Sequence, residues 1–166
     1  CEGASPRIEY CIIDNNYYGI MSSINWSTGL GSSPIISYNL IKNNQGDGIQ
    51  TYEKGTILIV NNTIVNNKEY GVRSGFIDAL LINNIIVGNA YGISLDIPSE
   101  GSVHADYNTV WNNDSTNYAG FTPESHDISL NPLFVSDDDF HLQSSSPCID
   151  AANPNSERDM DGTRTD

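Results

Sequence analysis

A repeating pattern predicts an all-β fold, a right-handed parallel β-helix of about five to six coils with three short strands in each coil. A six-residue motif rich in Asn and aliphatic residues occurs five times, and its starts lie 28, 23, 22 and 24 residues apart. A Gly followed by an aliphatic residue comes three or four positions after four of the five motifs. The motifs start at Cys11, Asn39, Asn62, Asn84 and Asn108.

Three aliphatic columns within the repeat predict the three strands of a coil. One column lies three positions before the motif start, the second two positions after it, and the third follows the corner Gly. The columns comprise Ile8, Ile36, Ile59, Leu81 and Ala105; Ile13, Ile41, Ile64, Ile86 and Val110; and Ile20, Ile49, Val72 and Ile93. A repeat of about 22 residues suffices for three short strands and three corners, because a strand rises about 3.3 Å per residue. Each strand should pair in parallel with its equivalent in the next coil.

The Asn residues at the motif start are expected to form a ladder along the axis of the solenoid. Asn tolerates left-handed backbone angles at a corner, and stacked amides can hydrogen-bond from coil to coil. Cys11 has no amide, so the ladder should end there. The leucine pattern of leucine-rich repeats is absent, and the apolar segments are too short and too β-branched for helical repeats.

Composition and charge exclude several classes of protein. The chain has 21 acidic and 7 basic residues, which give a net charge of −14. No basic patch is visible, so no nucleic-acid partner is expected. No run of about 18 apolar residues exists, so no membrane insertion is expected. The three cysteines match no zinc spacing, and buried free thiols are expected in preference to disulfides.

The repeat resembles that of secreted, pectin-lyase-like right-handed β-helix proteins, most clearly in residues 61–72 (NNTIVNNKEYGV). Residues 131–135 (NPLFV), 139–142 (DFHL) and 146–151 (SPCIDA) resemble the C-terminal closing segment of many bacterial members, and residues 159–164 (DMDGTR) resemble what often follows it. The resemblance implies a secreted or cell-surface bacterial protein.

The resemblance also implies a division of the chain. Residues 1–127 are expected to form the β-helix coils, residues 128–152 a closing segment packed on them, and residues 153–166 an acidic tail. Further N-terminal coils, another domain or another subunit should cover the first coil, because an uncovered coil exposes strand edges. The segment Ile128–Leu142 is expected to cover the outward apolar pair Val60 and Ile82. Its covering side chains would be Leu133, Phe134, Phe140 and Leu142.

Candidate catalytic residues lie near the strand that follows the Gly-aliphatic corner, where the resemblance places the ligands of enzyme members. A lyase acting on uronate sugars needs a base beside the carboxylate and a cation for the developing enolate, which nominates Arg73 and Lys68. An inverting hydrolase needs two carboxylates about 6.5–9.5 Å apart. Asp47, Glu69 and Asp96 could supply such a pair across adjacent coils. Alternatively, all five are solvated residues on an exposed face, because a fold does not determine a function.

Candidate substrate-binding residues are Gln50 and Tyr52 on that strand, and Trp26 on a polar loop that lengthens the first repeat. A Trp on a protruding loop suits stacking against a sugar ring, because its face is apolar and its edge can donate a hydrogen bond. The alternative is that Trp26 folds back and anchors the loop. The tyrosines before the corner Gly should form a structural aromatic stack. They are Tyr18, Tyr70 and Tyr91.

The acidic C-terminal end suggests a structural Ca²⁺ site with Asp150, Asp159 and Asp161 as ligands. Carboxylate oxygens near a turn are the ligands that Ca²⁺ prefers. The pattern lacks the distant Glu of a helix-flanked calcium loop, and a solvated acidic tail is the alternative. The three histidines share no repeat position and are interpreted as incidental.

Two functions remain open from the sequence. The first is an extracellular protein that binds or processes polysaccharide, as a lyase or a glycoside hydrolase would. The second is a non-catalytic surface or adhesin-type module in which the solenoid is a rigid spacer. Charged residues that converge on one cleft favour the first function, and a flat face with scattered charges favours the second.

Overall fold

The fold is that of a computed structural model, which describes residues 4–23, 27–29, 31–52, 54–75, 77–96, 101–158 and 162–164. Within these ranges, fifteen short strands form three parallel sheets of five strands each. The same ranges contain no helix that is long and apolar enough to cross a membrane.

Each coil contributes one strand to each sheet. Sheet 1 contains β1 (Arg7–Glu9), β4 (Ile35–Ser37), β7 (Thr56–Val60), β10 (Asp78–Ile82) and β13 (Ser102–Asp106). Sheet 2 contains β2 (Ile12–Asp14), β5 (Leu40–Lys42), β8 (Thr63–Val65), β11 (Ile85–Val87) and β14 (Thr109–Trp111). Sheet 3 contains β3 (Ile20–Ser23), β6 (Ile49–Tyr52), β9 (Tyr70–Gly75), β12 (Tyr91–Leu95) and β15 (Thr116–Ala119).

Every strand pairs in parallel with its equivalent in the next coil, in the register that the repeat predicts. Ile36 of β4 pairs with Ile59 of β7, and Ile64 of β8 pairs with Ile86 of β11. Five strands per sheet make five coils in the described ranges, the lower of the two predicted numbers. The prediction of an all-β parallel solenoid with three strands per coil is confirmed.

The three aliphatic columns form one continuous core. Residues of all three columns belong to a single buried cluster, which Ile57, Ile77, Ala79, Leu95 and Val103 extend. Ile8 and Ile13 of the first coil are only partly buried. Tyr10, Ile12, Tyr17 and Met21 of the same coil are exposed, because β1, β2 and β3 lie at the edges of their sheets. The first coil thus carries four of the eight exposed large hydrophobic residues in the described ranges.

Asparagine side chains join the coils at two corners, in two ladders. In ladder 1, Asn62 Oδ1 accepts hydrogen bonds from the backbone N and the Nδ2 of Asn39, each at 3.0 Å. The same pair of bonds runs from Asn62 to Asn84 and from Asn84 to Asn108. Cys11 donates only its backbone N–H to Asn39 Oδ1, so the predicted end of the ladder is confirmed.

Ladder 2 was not foreseen, although its residues close each repeat motif. It runs through Asn44, Asn67, Asn89 and Asn113 with the same double bond at each step. At its far end, Asn113 donates to Asn117 Oδ1. A column of amides at each of two corners satisfies polar groups that would otherwise be buried without a partner.

The left-handed corner residue is not the ladder Asn, as the sequence suggested, but the residue before it. Tyr38, Asn61, Asn83 and Tyr107 have φ between 54° and 59°. The left-handed residue makes the turn, and the Asn that follows is buried with its amide directed along the stack. The turn and the ladder therefore require two neighbouring residues instead of one.

In four of the five coils, the Gly that precedes the aliphatic core residue of the sheet 3 strand is required by close packing. A Cβ on Gly71 would lie 2.5 Å from Ile86 Cγ2 and 2.9 Å from the carbonyl oxygen of Gly92. Only a residue without a side chain lets the backbone approach the next coil this closely.

The closing segment packs on sheet 2, not over the outward pair Val60 and Ile82 on sheet 1. Ile128 forms a parallel bridge with Thr109 at the edge of sheet 2, so the chain enters the segment from that sheet. The segment and the outward side of sheet 2 form one apolar cluster. Its members are Leu40, Val65, Ile85, Val87, Trp111, Phe134, Phe140, Leu142 and Cys148. Leu133, the fourth expected covering residue, instead lines a groove beside this cluster.

The two described cysteines differ in exposure. Cys148 is a buried free thiol 3.2 Å from Thr109 Oγ1, as predicted. Cys11 is exposed, contrary to the prediction, because it belongs to the first coil at the edge of the sheets.

Beyond the closing segment, Asn83 Oδ1 accepts the Asn153 backbone N–H, and Asn83 Nδ2 donates to Ser156 Oγ. Residues 153 and 156 are thus tied to a corner of the fourth coil.

Candidate functional site

The candidate face is the outward surface of sheet 3. The parallel register aligns Met21, Gln50, Arg73 and Ser94 in one outward column. In β6, Tyr52 lies two residues further along from Gln50, and Asp96 directly follows β12. Because side chains alternate across a strand, these residues project to one face while Val72 and Ile93 point to the core.

Arg73 is the centre of this face. Its Nε donates to Asp96 Oδ2 at 2.7 Å, and Tyr52 Oη donates to the same oxygen at 2.7 Å. Ser94 Oγ donates to Asp96 Oδ1 at 3.1 Å. The guanidinium carbon lies 4.8 Å from the ring centroid of Tyr70 and 5.6 Å from that of Tyr52. Arg73 is therefore held between two aromatic rings and a carboxylate.

The ionisation of this cluster is fixed by its contacts. Burial raises the pKa of Asp96, but hydrogen bonds from Tyr52 and Arg73 outweigh it and leave that pKa below its ordinary value. Burial lowers the pKa of Arg73, but the bond to Asp96 more than compensates and leaves it raised. Burial and the bond to Asp96 raise the pKa of Tyr52 to about 12. The cluster is thus a carboxylate, a guanidinium and a neutral phenol at neutral pH.

Asp47 lies beside this cluster but inside the protein. Its side chain is fully buried, Gln50 Nε2 donates to its Oδ2 at 2.8 Å, and the Tyr70 backbone N–H donates to its Oδ1 at 3.1 Å. Burial raises the pKa of Asp47, and these two donors only partly offset the effect. Gln50, predicted to contact substrate, is itself buried and supports Asp47.

The tyrosine column forms an aromatic stack in part. Tyr70 and Tyr91 stack with their ring centroids 4.6 Å apart, as predicted. Tyr18 instead meets Tyr17 edge to face, because Asp47 occupies the equivalent position before the corner Gly in the intervening coil. The Tyr70 ring also packs against the guanidinium of Arg73. The stack therefore belongs to the candidate face and also joins neighbouring coils.

The remaining candidates are dispersed. Lys68 and Glu69 are exposed in the turn before β9, and their side chains make no hydrogen bond or ion pair with the described part of the chain. Trp26 lies outside the described residues. The structure therefore brings together Gln50, Tyr52, Arg73, Asp96 and Asp47 of the predicted set.

The arrangement is better suited to binding than to proton transfer. Arg73 stays protonated in its ion pair, so it can donate hydrogen bonds but cannot act as a base. Asp47, whose raised pKa would suit a general acid, is fully buried and accepts hydrogen bonds from Gln50 and Tyr70. A general acid or base must reach the reacting proton. By contrast, among the described residues the two Nη groups of Arg73 have no hydrogen-bond partner.

The sequence analysis missed the contact between Tyr70 and Arg73 and the hydrogen bond from Ser94 to Asp96. The signal for Tyr70 was its position three residues before Arg73, on the same strand. The signal for Ser94 was its alignment with Arg73 in the repeat, which the register confirms.

The calcium prediction stays a prediction. Asp150 lies in a turn with φ of 56°, and Asp159 and Asp161 lie outside the described residues. Within the described ranges, no three His, Cys, Asp or Glu side chains are grouped to hold a metal ion. The histidines lie on the surface next to carboxylates of other residues.

Stacked parallel coils with a shared aliphatic core and asparagine ladders define the class of protein as a parallel β-helix. Residues 2–76, less than half of the chain, match the family profile described as right handed beta helix region, in agreement with the parallel coils of the structure. The resemblance seen in the repeat is thereby confirmed for the fold. No curated protein matches the chain, and no solved structure does.

Proposed function

We propose that this β-helix is an extracellular polysaccharide-binding protein whose contact face is the outward surface of sheet 3. The observation that supports this proposal most directly is Arg73, fixed by Asp96 between the rings of Tyr52 and Tyr70. Aromatic rings offer apolar faces to sugar rings, and the planar guanidinium offers paired donors to neighbouring sugar oxygens.

The face is preorganised for binding. Five contacts hold Asp96 and Arg73 in place; Arg73 lies on β9, and Asp96 directly follows β12. A site whose groups are already ordered loses less conformational entropy when it binds. The repeat also spaces equivalent positions by one coil, about 4.8 Å, so that an extended chain of sugars meets several coils.

The contacts favour binding without turnover over the lyase and hydrolase alternatives. The two carboxylates beside Arg73 already have hydrogen-bond donors within the protein. Asp96 accepts three hydrogen bonds, and the buried Asp47 accepts two. The same observation fits a surface module that attaches to polysaccharide without cleaving it. We therefore expect no release of reducing ends or of unsaturated uronate from a retained polysaccharide.

The test is affinity electrophoresis through gels containing neutral or uronate polysaccharides. We expect at least one polysaccharide to retard the protein, and Arg73→Ala and Tyr70→Ala each to abolish most of that retardation. Arg7→Ala is the matched control, because Arg7 forms a similar ion pair with Glu9 two residues away, but on sheet 1. Thermal melting should show that all three variants fold.

Two results would overturn the proposal. One is the absence of retardation in any gel of a broad polysaccharide set. The other is retardation that Arg73→Ala and Tyr70→Ala leave unchanged in folded protein, since that would place the contact elsewhere on the molecule.

A further inference from the structure

A groove of about 570 Å³ runs between sheet 2 and the closing segment, away from the face on sheet 3. Its floor contains Val65, Val87 and Trp111, which form one outward column of sheet 2. Phe134 and Phe140 of the closing segment form its apolar wall. A volume of this size falls in the range of small-ligand sites, about 300–1,000 Å³.

The rim of the groove is rich in amides. Asn66, Asn112, Asn131 and Gln143 line it, together with the carboxylate of Asp137. Among the described residues that line the groove, there is no Lys or Arg. The lining thus combines a Trp ring with neutral donors and acceptors and has one negative charge, which suits a neutral ligand and disfavours an anion.

Two of these amides are not used by the fold. Asn15, Asn43, Asn66 and Asn112 occupy the same left-handed corner in successive coils, where Gly88 takes the place of Asn in the fourth coil. Asn15 and Asn43 both donate to Asp14 Oδ1. The side chains of Asn66 and Asn112 make no hydrogen bond within the described part of the chain. Gly88 lies between them in the stack of coils, and because it has no side chain the Asn66 amide fits over it, with its Oδ1 2.6 Å from where a Cβ of Gly88 would lie.

We infer that this groove is a second carbohydrate site, which takes a neutral sugar unit of a polysaccharide. The apolar face of a sugar ring stacks on Trp111, and its hydroxyls exchange hydrogen bonds with Asn66 and Asn112 on the rim. A hydroxyl both donates and accepts, as an amide side chain does, so each sugar oxygen finds a partner of either kind. The inference rests on residues of sheet 2 and the closing segment alone, so it stands or falls independently of Arg73.

The experiment is a fluorescence titration in a Trp26→Phe background, in which Trp111 is the sole Trp of the chain. The probes are neutral oligosaccharides of four to six glucose, mannose, galactose or xylose units. We expect at least one probe to give a saturable change in Trp111 emission that does not depend on ionic strength, because the ligand carries no charge. Asn66→Gly and Asn112→Gly should each weaken that probe's affinity at least fivefold.

Glycine is the replacement of choice because it keeps the left-handed backbone that both positions require. Asn15→Gly is the matched control at the same corner of the first coil, and it should leave affinity unchanged. An absence of any saturable change at millimolar probe overturns the inference. It is overturned equally if Asn66→Gly and Asn112→Gly bind as the parent does. Binding that survives both but is lost in Arg73→Ala places the contact on sheet 3 and supports only the proposed function.

Discussion

Asp127 occupies the end of ladder 1, where a sixth coil would provide another Asn. Its Oδ1 accepts the backbone N–H of Asn108 at 2.7 Å and the Asn108 side-chain amide at 3.0 Å. Its Oδ2 accepts from Tyr118 Oη at 2.8 Å. A carboxylate can end the ladder because the last position needs only acceptors. Burial nevertheless raises the pKa of Asp127 above its ordinary value of 3.8. The folded protein therefore disfavours the charged form of this carboxyl group relative to the unfolded chain.

We predict that Asp127→Asn is at least as stable as the wild type at neutral pH. A carboxyl whose pKa is raised on folding stabilises the fold fully below its unfolded pKa, and loses that contribution as pH rises through the folded pKa. The wild type should therefore lose stability relative to Asp127→Asn as pH rises through the carboxyl range, and the two should converge at acid pH. Denaturant unfolding at several pH values measures this difference directly.

A matched variant makes the test sharper. Asp127→Ala leaves the Asn108 backbone N–H without its acceptor, which should cost about 1–3 kcal/mol at every pH. If Asp127→Asn were as destabilising as Asp127→Ala at neutral pH, the terminal acceptor would require a charge and the argument from burial would be wrong.

The two ladders are the elements that hold the corners of successive coils together. Asn84, in the middle of ladder 1, accepts from both nitrogens of Asn62 and donates to Asn108 Oδ1 and to the carbonyl oxygens of Ile59 and Ile82. A residue there must donate and accept at once. The amide of Asn does both, because its oxygen accepts and its NH₂ group donates two hydrogen bonds, one more than a hydroxyl can donate.

We predict that Asn84→Asp is more destabilising than Asp127→Asn, although each exchanges the same two groups. Asn84→Asp removes both donors of a buried side chain and places a charge against the Asn108, Ile59 and Ile82 oxygens. Burying a charge among acceptors costs more than losing a neutral bond. The free energy of unfolding, measured at neutral pH in denaturant, should fall by more than about 2 kcal/mol for Asn84→Asp. Equal effects of the two exchanges would show that the position in the ladder does not matter.

At the scale of the whole molecule, the chain combines a continuous apolar core with a net charge of −14. Stacking coils brings like residues together, and for acidic residues this means repulsion unless the charges are neutralised or spread. The closing segment adds Asp137, Asp138 and Asp139 beside the groove, and the first coil presents exposed apolar side chains. The prediction that further coils, another domain or another subunit covers that coil stays a prediction.

We predict that Ca²⁺ stabilises the C-terminal end through Asp150, Asp159 and Asp161. A cation that binds only the folded form raises stability with the logarithm of its free concentration. A chelator should therefore lower the melting temperature, and millimolar Ca²⁺ should restore it. The double variant Asp159→Asn with Asp161→Asn should lose this response, whereas Asp137→Asn with Asp138→Asn controls for the general effect of removing two charges. Identical melting of the wild type in chelator and in Ca²⁺ would mean that this end is a solvated acidic tail.

The candidate site was predictable in its location but not in its chemistry. The repeat places Gln50, Arg73 and Ser94 in one column, since a constant register follows from constant spacing. The pairing of Arg73 needs the carboxylate of Asp96, and the equivalent positions of the earlier coils carry no carboxylate, so the repeat does not predict the pair. Asp47 was expected either to act on substrate or to be solvated, but its side chain is buried and is a partner of Gln50 and Tyr70.

The sequence by itself determined the coil, its three strands, its aliphatic columns and the first of its ladders, because each of these depends on contacts between equivalent residues of neighbouring repeats. Only the tertiary structure decided what does not repeat. The closing segment covers sheet 2 and not Val60 and Ile82, because it starts from the edge strand at Thr109. Asp127 ends the ladder, although it lies outside the repeat motif. Contacts between dissimilar segments leave no periodic signal, so their geometry is set only when the chain has folded.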